Sequence, residues 1–306
     1  MIAGEFLASL LPGAVLLGTP LLYATLAEVI DERAGIVNLG LEGVMLMGAV
    51  VAFATTVQSE SPALGVLAGS LAGGLFNLVL GFLVITRLAN QLASGLALMF
   101  CGVGLSALIG APYIGSRITG LNPIRVPTLS EFPFVGRALF EQDILVYVAV
   151  PVAVLVWWGL FRTRWGLWVR AVGEHPTAAY AAGVTPARLQ YQALFAAGVL
   201  GGLAGVHLSL AIARSWAEWM TAGRGFIAVA LVIFSRWHPL RAIIGALIFG
   251  GAVALQLQFQ ARGVGVSPFL LDTIPYLLSL AVLLVWSRAG RHVAPASLGR
   301  VFAGTE

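Results

Sequence analysis

The sequence contains no lysine, one cysteine and few charged residues, and each shortage excludes a class of protein. Without lysine the chain cannot carry the phosphate-binding loop of a nucleotide hydrolase, whose signature ends in Gly-Lys-Ser/Thr. With Cys101 as its only cysteine, it can form neither an internal disulfide nor a multi-cysteine metal site. Only 10% of the 306 residues are charged, against about 25% in a soluble domain. A soluble domain is therefore excluded.

Signatures of catalysis are absent as well. The four histidines are dispersed, no His/Glu spacing suits a metal, and no nucleophile elbow occurs. We therefore expect a chain that is not an enzyme and holds no cofactor or metal. The formal pI near 9.7 does not indicate nucleic-acid binding, because the arginines are scattered at the ends of apolar runs. We also expect no ladder of buried carboxylates and basic residues of the kind that a proton-coupled transporter uses.

Long apolar runs make up most of the chain, which is 59% hydrophobic with a mean hydropathy of +0.95. A transmembrane helix needs about 20 mostly apolar residues. We predict an all-α polytopic membrane protein, with one transmembrane domain over residues 1–306 and about nine spans. The predicted spans are 6–29, 38–57, 62–86, 92–112, 143–161, 189–212, 225–235, 240–259 and 269–287.

The seventh of these segments is too short to cross a bilayer as an ordinary helix. It lies between Arg224 and Arg236. It is either a short, steep helix or a half-helix that stops inside the bundle, which is tolerated only where protein or a water-filled cavity covers its end.

The distribution of arginine predicts the orientation. Cytoplasmic loops carry an excess of basic residues, and placing the loop 162–188 in the cytoplasm puts the arginine excess inside. Eleven arginines then lie inside, at positions 33, 87, 162, 164, 170, 188, 236, 241, 288, 291 and 300, and six outside, at 117, 125, 137, 214, 224 and 262. We expect the N-terminus outside and the C-terminus in the cytoplasm.

Several polar residues fall within or at the ends of apolar runs, where they are costly and often functional. Asn38 and Glu42 are one helical turn apart on a predicted helix, which would place them on one face. For each polar residue the alternative is an interhelical hydrogen bond that fixes packing. The candidates for a solute pathway are Asn38, Glu42, Asn77, Asn90, Gln91 and Ser94.

Small residues at helical spacing predict close contacts between helices. The two instances are Gly69-x-x-x-Gly73 and Gly201-x-x-x-Gly205. We expect them to pack helices within this chain; a seam between two chains is the alternative.

The polar stretch 162–188 lies between two apolar runs, so it must be in water or at a membrane surface. Within it, Pro176 can begin a short helix, the alanines that follow favour it, and Gly183 can end it. A short structured segment held between two spans is well placed to receive a push from a soluble partner.

Four blocks of the sequence resemble the permease subunits of bacterial ABC importers in the ribose/branched-chain amino-acid permease superfamily. They read GIVNLGLEGVMLMGA, NQLASGLAL, RAVGEHPTAAYAAGV and MTAGRGFIAVALVIFSRWHP, in the expected order. They are most similar to the nucleoside and simple-sugar branch, which works with a binding lipoprotein of the basic-membrane-protein type. The resemblance implies a bundle like that of the ribose permease.

The resemblance also implies partners. These are a paralogous permease subunit that forms a heterodimer with this chain, a cytoplasmic ABC ATPase that binds the ATP and Mg, and an extracytoplasmic solute-binding lipoprotein. The stretch 162–188 corresponds to the coupling loop that contacts the ATPase. Its coupling residues are expected to be Glu174, His175, Pro176, Ala179, Gly183 and Arg188.

The implied function is import of a nucleoside across the bacterial plasma (inner) membrane by alternating access, with the sixth span transmitting movement from the coupling loop. A simple-sugar permease, ribose-like in its solute, is the nearest alternative. A channel or secondary transporter that works without ATP is an alternative from another class, and the lack of a charged relay argues against it. A purely structural membrane subunit would show no solute dependence.

Overall fold

The structure is a computed structural model that describes residues 2–132, 136–263, 267, 270, 273–286 and 294–300. Within these residues it is a bundle of long apolar helices with only two short strands, which confirms the predicted all-α polytopic membrane fold. Helices prevail because hydrocarbon offers the backbone no hydrogen-bond partner. In chain order they are α1 (Ile2–Arg33), α2 (Leu41–Ser59), α3 (Pro62–Gly81), α4 (Gln91–Gly110), α5 (Gly136–Phe140), α6 (Ile144–Arg162), α7 (Arg164–Glu174), α8 (Pro176–Ala181), α9 (Pro186–Val206), α10 (Arg224–Ser235), α11 (Pro239–Ala261) and α12 (Ile274–Trp286).

Short irregular elements complete the described architecture. The strands β1 (Ile124–Arg125) and β2 (Glu141–Gln142) pair antiparallel, with Ile124 opposite Gln142. Single 3-10 turns cover Ala111–Tyr113 and Leu129–Glu131, and π-helical turns extend α3 over Phe82–Thr86 and α9 over His207–Ala213.

Seven of the described helices are long and apolar enough to cross a membrane. The predicted span 62–86 matches the helical run Pro62–Thr86, and the other boundaries shift by a few residues. The count of nine is not confirmed, because α10 has only 12 residues and the described part of the last helix has 13. Residues 268, 269, 271 and 272, in and beside the start of the ninth predicted span, lie outside the described residues, as do Arg288 and Arg291.

The bundle has two distinct ends. We call the end that holds α7, α8 and the C-terminus of α1 the coupling end, and the end that holds residues 111–143 the far end. At the coupling end Arg33 donates to the Trp237 carbonyl oxygen at 3.1 Å, which joins the last turn of α1 to the chain after α10. At the far end the Leu121 amide donates to the Leu210 carbonyl at 2.9 Å.

The two glycine motifs pack helices within the chain, as expected. Gly73 on α3 faces α9 so closely that a Cβ added to it would lie 2.5 Å from the Gly202 Cα and 2.5 Å from the Gly198 carbonyl oxygen. A Cβ on Gly69 would lie 2.5 Å from the Gly48 carbonyl oxygen on α2. Three helices therefore meet backbone to backbone at the centre of the bundle, which only glycine permits.

A buried contact between Asp143 and His207 lies at the far end. The Asp143 carboxylate lies 3.0 Å from His207 Nε2, and its other oxygen accepts from the Leu145 amide at 2.9 Å, so that it caps α6. Burial raises the pKa of Asp143, but the hydrogen bond and charge of His207 and the amides of Leu145 and Val146 together lower it more. The net pKa lies below the ordinary value, so this carboxylate is charged.

Replacing Gly73 by leucine should disrupt the α3–α9 contact, because the added side chain has no space beside the Gly202 backbone. Overpacking of this kind costs about 1–3 kcal/mol or more. Gly104→Leu on α4 is the matched control, since no atom lies within 4 Å of a Cβ there. Thermal unfolding of the purified protein in detergent should show a lower midpoint for Gly73→Leu alone. Equal midpoints for the two variants would contradict the packing.

Candidate functional site

Two breaks in the helices lie inside the bundle, and several polar residues of the candidate site bond to them. The first is the stretch 34–40, which is non-helical and largely buried between α1 and α2. It begins at Gly35, whose φ of +86° reverses the chain in a conformation that favours glycine. Backbone in this position must find partners within the protein, since no water reaches it from lipid.

Side chains from neighbouring helices supply those partners. The Val37 amide donates to the Gln91 side-chain oxygen at 2.9 Å, and the Asn38 amide donates to Glu28 Oε1 at 3.0 Å. Gln190 on α9 donates to the Ala34 carbonyl at 3.2 Å. The irregular stretch is thus held by α1, α4 and α9 together.

Asn38 and Asn77 are brought together with a carboxylate, Asp31. The Asn38 side-chain nitrogen Nδ2 donates to Asp31 Oδ2 at 2.8 Å and to the Asn77 side-chain oxygen at 2.8 Å. Asn77 in turn donates to the Leu194 carbonyl at 2.8 Å and to Asp31 at 3.3 Å. Both asparagines are fully buried. This cluster links α1, α3 and α9 to the stretch 34–40.

The expectation that Asn38 and Glu42 share one helix face is wrong. The helix starts only at Leu41, and Asn38 lies before it. The physical reason is that the Asn38 side-chain oxygen accepts from the Gly40 amide at 3.0 Å, a local bond that competes with helix. Asn38 faces Asp31, whereas Glu42 faces a different helix.

Glu42 binds the start of α10, which is the second break. Its Oε1 accepts from the Thr221 hydroxyl at 2.5 Å and the Gly223 amide at 2.7 Å, and its Oε2 accepts from the Gly225 amide at 2.6 Å. Glu42 is 1% exposed. A carboxylate at this position satisfies free amides and opposes the positive end of the helix dipole.

The geometry favours the half-helix alternative for the seventh predicted segment. Twelve residues rise about 18 Å, well short of the roughly 30 Å of the hydrocarbon core. Residues 214–237 nevertheless extend from the far end to the coupling end. The Arg214 carbonyl accepts from the Ile118 amide at the far end, and Trp237 lies at the coupling end. Arg224 is half-buried at the start of α10, and its expected position on the outer side of the membrane stays a prediction.

The other pathway candidates lie around the coupling end of α4. Gln91 is buried and also donates to the carbonyls of Gly35 and Arg300, at 3.3 and 3.0 Å. Asn90 is exposed and caps α4 by accepting from the Ala93 amide at 3.0 Å. Ser94 is 7% exposed on the next turn. A role of these residues in a solute pathway stays a prediction.

The stretch 162–188 forms two helices. α8 begins at Pro176 and ends at Ala181 as expected, and Gly183 follows with a φ of +83°. The amides of Gly183 and Val184 donate to the carbonyls of Tyr180 and Ala179 at 2.9 and 3.1 Å, a Schellman ending. The preceding helix α7 was not predicted, although Gly166, Val169, Val172 and Gly173 form its buried stripe at helical spacing.

The expected coupling residues differ in exposure. Glu174, His175, Gly183 and Arg188 are exposed, Pro176 is half-buried, and Ala179 is only 4% exposed. A large side chain at Ala179 would therefore disturb the packing of α8 itself. Their contact with an ATPase stays a prediction.

The comparison with known proteins identifies the family of the chain. Residues 11–287 match the family described as branched-chain amino acid transport system / permease component. The chain belongs to this permease family. No solved structure matches the chain.

Three relatives of the permease align over nearly their whole length. A protein of Haloferax volcanii with the provisional name of glucose ABC transporter permease protein is 36% identical, over 96% of this chain and 97% of its own. A nucleoside ABC transporter permease protein of Lactococcus lactis is 34% identical over 92% of each chain. A guanosine ABC transporter permease protein of Bacillus subtilis is 32% identical over 96% of each.

Three carboxylates of the permease were not predicted as part of the site. Glu28, Asp31 and Glu32 are buried because α1 continues to Arg33, four residues beyond the predicted end of the span. Glu32 accepts a short hydrogen bond from Trp237 Nε1. They form one cluster at the coupling end rather than a ladder across the bundle. In the described part of the chain, no three His, Cys, Asp or Glu side chains form a metal-binding group.

A C-terminal segment of the permease, residues 294–300, fastens α7 to the rest of the coupling end. The Ser297 hydroxyl donates to the Gly173 carbonyl at 2.6 Å, and the Ala296 amide donates to Glu174 Oε2 at 3.1 Å. The Arg300 carbonyl accepts from Gln91 on α4. No pattern in the sequence marks Ser297, since isolated serines near a terminus are common.

Replacing Glu42 by glutamine should destabilise the start of α10, because an amide NH2 would face backbone N–H groups that now donate to a carboxylate. Leaving buried donors unpaired costs about 1–3 kcal/mol. Glu60→Gln is the control, since Glu60 is exposed beyond the other end of α2. Unfolding of the purified permease in detergent measures the effect. A Glu42→Gln protein as stable as Glu60→Gln would show that the carboxylate is not needed there.

Proposed function

We propose that the chain is a membrane subunit of an ABC importer that moves an uncharged nucleoside across the bacterial plasma membrane. A separate ATPase binds ATP and Mg and hydrolyses the ATP, and this chain supplies part of the pathway. The observation that carries the proposal is the full-length similarity to permeases named for nucleoside and guanosine transport.

The polar groups of the bundle support an uncharged solute. Glu42 and Arg33 are bonded to other groups of the chain: Glu42 accepts from the Thr221 hydroxyl, and Arg33 donates to the Trp237 carbonyl. Charged groups that are bonded in this way are not presented to a charged solute. A neutral nucleoside or sugar fits this chemistry better than an amino acid.

Simple-sugar import is the second candidate, and a specific observation favours it. The relative from Haloferax volcanii has a name that refers to glucose, and it is 36% identical to this chain. Nucleosides and sugars share uncharged hydroxyl-bearing rings, so one type of pathway suits both. A direct uptake measurement separates them.

The orientation that fits this function places the coupling end in the cytoplasm. The arginine excess on the loops of that end supports it, and so does the position of α7 and α8, where a cytoplasmic ATPase would dock. The far end then receives solute from an extracytoplasmic binding lipoprotein. A paralogous permease subunit completes the pathway as the second half of a heterodimer.

Deletion of the gene should abolish concentrative nucleoside uptake, and expression of the chain from a plasmid should restore it. The measurement compares uptake of labelled guanosine, glucose and leucine in deletion, complemented and parent strains. Loss of glucose uptake alone would favour the sugar permease.

Two outcomes would contradict the proposal. If only leucine uptake changed, the assignment to uncharged solutes would be wrong. If the purified chain alone accumulated solute in vesicles without an ATPase, it would be a secondary transporter.

Gly183→Val should uncouple the permease from its ATPase, because a β-branched residue is strained at a φ of +83° and would disrupt the end of α8. Gly263→Val is the matched control, since Gly263 follows the end of α11 with a φ of +62° at the far end. The reconstituted complex is assayed for solute-stimulated ATP hydrolysis and for co-purification of the ATPase. We expect both to fall strongly for Gly183→Val only.

The thermal stability of the permease subunit is measured on the same samples. If the two variants are similarly stable, the loss of ATP hydrolysis and of ATPase co-purification in Gly183→Val is due to impaired coupling. Normal hydrolysis and transport in Gly183→Val would refute the coupling role of α8.

A further inference from the structure

A cavity of about 590 Å³ adjoins the buried start of α10 in the far half of the bundle. Its walls come from the irregular stretch 214–223, the start of α10, the second half of α11 and the first turn of α12. It is large enough for a nucleoside-sized ligand, since small-molecule pockets occupy roughly 300–1,000 Å³. Its lining includes Trp219, Ala222, Arg224, Phe226, Gln256 and Tyr276.

Three aromatic rings face this cavity. Trp219, Phe226 and Tyr276 are 44%, 39% and 45% exposed. An aromatic face can stack on a planar base or on the apolar face of a sugar ring. Gln256 contributes the amide of an uncharged polar side chain to the wall.

Among its described residues, the cavity lining has one charged side chain, Arg224, and the Glu42 carboxylate lies at the start of the same helix. The free amides at the start of α10, which would attract an anion, already donate to the Glu42 carboxylate. Arg224 donates to the Thr221 and Met220 carbonyls at 3.0 and 3.3 Å. The lining therefore offers aromatic contact, and the charged side chain of Arg224 lies on the helix whose start binds the Glu42 carboxylate.

The backbone at the cavity is held in a sparsely populated conformation. Trp219 and Ala222 have φ values of +57° and +48°, which side chains other than glycine rarely adopt. The Tyr276 hydroxyl donates to the Ala222 carbonyl at 3.0 Å and so fastens α12 to this stretch. Such strain is concentrated at ligand sites and switch regions.

We propose that this cavity is a binding station for the transported solute, specific for an uncharged ring-bearing molecule such as a nucleoside or a hexose. The inference rests on the proposed import function and adds to it the residues that meet the solute. Trp219 and Tyr276 flank the ring. An anion is disfavoured because the Gly223 and Gly225 amides donate to Glu42 and Arg224 donates to backbone carbonyls. Because the cavity lies in the far half, it is the first binding site for solute that enters from the far end.

Solute protection of an engineered cysteine tests the station directly. Ala222→Cys is made in a Cys101→Ser background, and the complete importer in membrane vesicles is treated with a membrane-impermeant maleimide from the far side. Guanosine, glucose, leucine and guanosine monophosphate are added separately at millimolar concentration. We expect guanosine or glucose to slow the labelling several-fold, and zwitterionic leucine and anionic guanosine monophosphate to have no effect. Ser59→Cys, exposed at the far end of α2, is the control whose labelling no solute changes.

A second substitution distinguishes direct contact from a general conformational change. Trp219→Ala, added to the Ala222→Cys protein, should raise the solute concentration needed for half-maximal protection about tenfold, because one stacking face is lost. Trp158→Ala is the matched control, because Trp158 is 55% exposed on α6, away from the cavity. Equal effects of the two tryptophan substitutions would overturn the contact.

The remaining outcomes are equally decisive. Two outcomes would show that the cavity is not a binding site for the solute and would leave the proposed import function standing. In the first, Ala222→Cys is not labelled; in the second, a solute that the importer takes up does not protect it. Protection by guanosine monophosphate would overturn the specificity for uncharged molecules. Absence of solute uptake by the importer without either substitution would count against the proposed function itself.

Discussion

Hydrocarbon supplies no hydrogen-bond partner, so each break in a helix inside this bundle must be satisfied by the chain itself. Glu42 meets that constraint where the half-helix α10 begins, by accepting from the Thr221 hydroxyl and from the Gly223 and Gly225 amides. Gly225 permits the approach, because a Cβ there would lie 2.7 Å from the Glu42 amide nitrogen. The carboxylate thus fixes α10 against α2, next to the cavity at the start of α10.

The other break is connected to the coupling end by an equally continuous set of contacts. Asn38, Asp31 and Asn77 hold the stretch 34–40 against α1 and α3. Gln91 joins that stretch to the C-terminal segment, whose Ser297 is bonded to α7. These contacts offer a path by which a displacement of α7 and α8 would be transmitted to α2 and α4 through residues 294–300. This path is additional to the route along α9 that the sequence suggested.

The sequence predicted the helices well where hydrophobicity and glycine spacing decide the structure. The run 62–86 and the contact at Gly73 follow from apolar length and small residues alone. α8 followed from Pro176 and Gly183, whose backbone preferences are local. Asn38 was misplaced because its bond to Gly40 competes with helix formation, and hydropathy does not report such a bond. The partners of Glu42 could not be predicted, since Thr221 lies 179 residues away in the chain.

The central claim is that the Glu42 carboxylate holds the start of α10 inside the bundle. A double-mutant cycle with Glu42→Gln and Thr221→Val measures this contact, using the unfolding free energies of the four proteins in detergent. Directly bonded residues show coupling energies of about 0.5–3 kcal/mol. The structure predicts a coupling energy within that range, with Thr221→Val costing less once Glu42 is replaced. Additive effects of the two substitutions would contradict the claim.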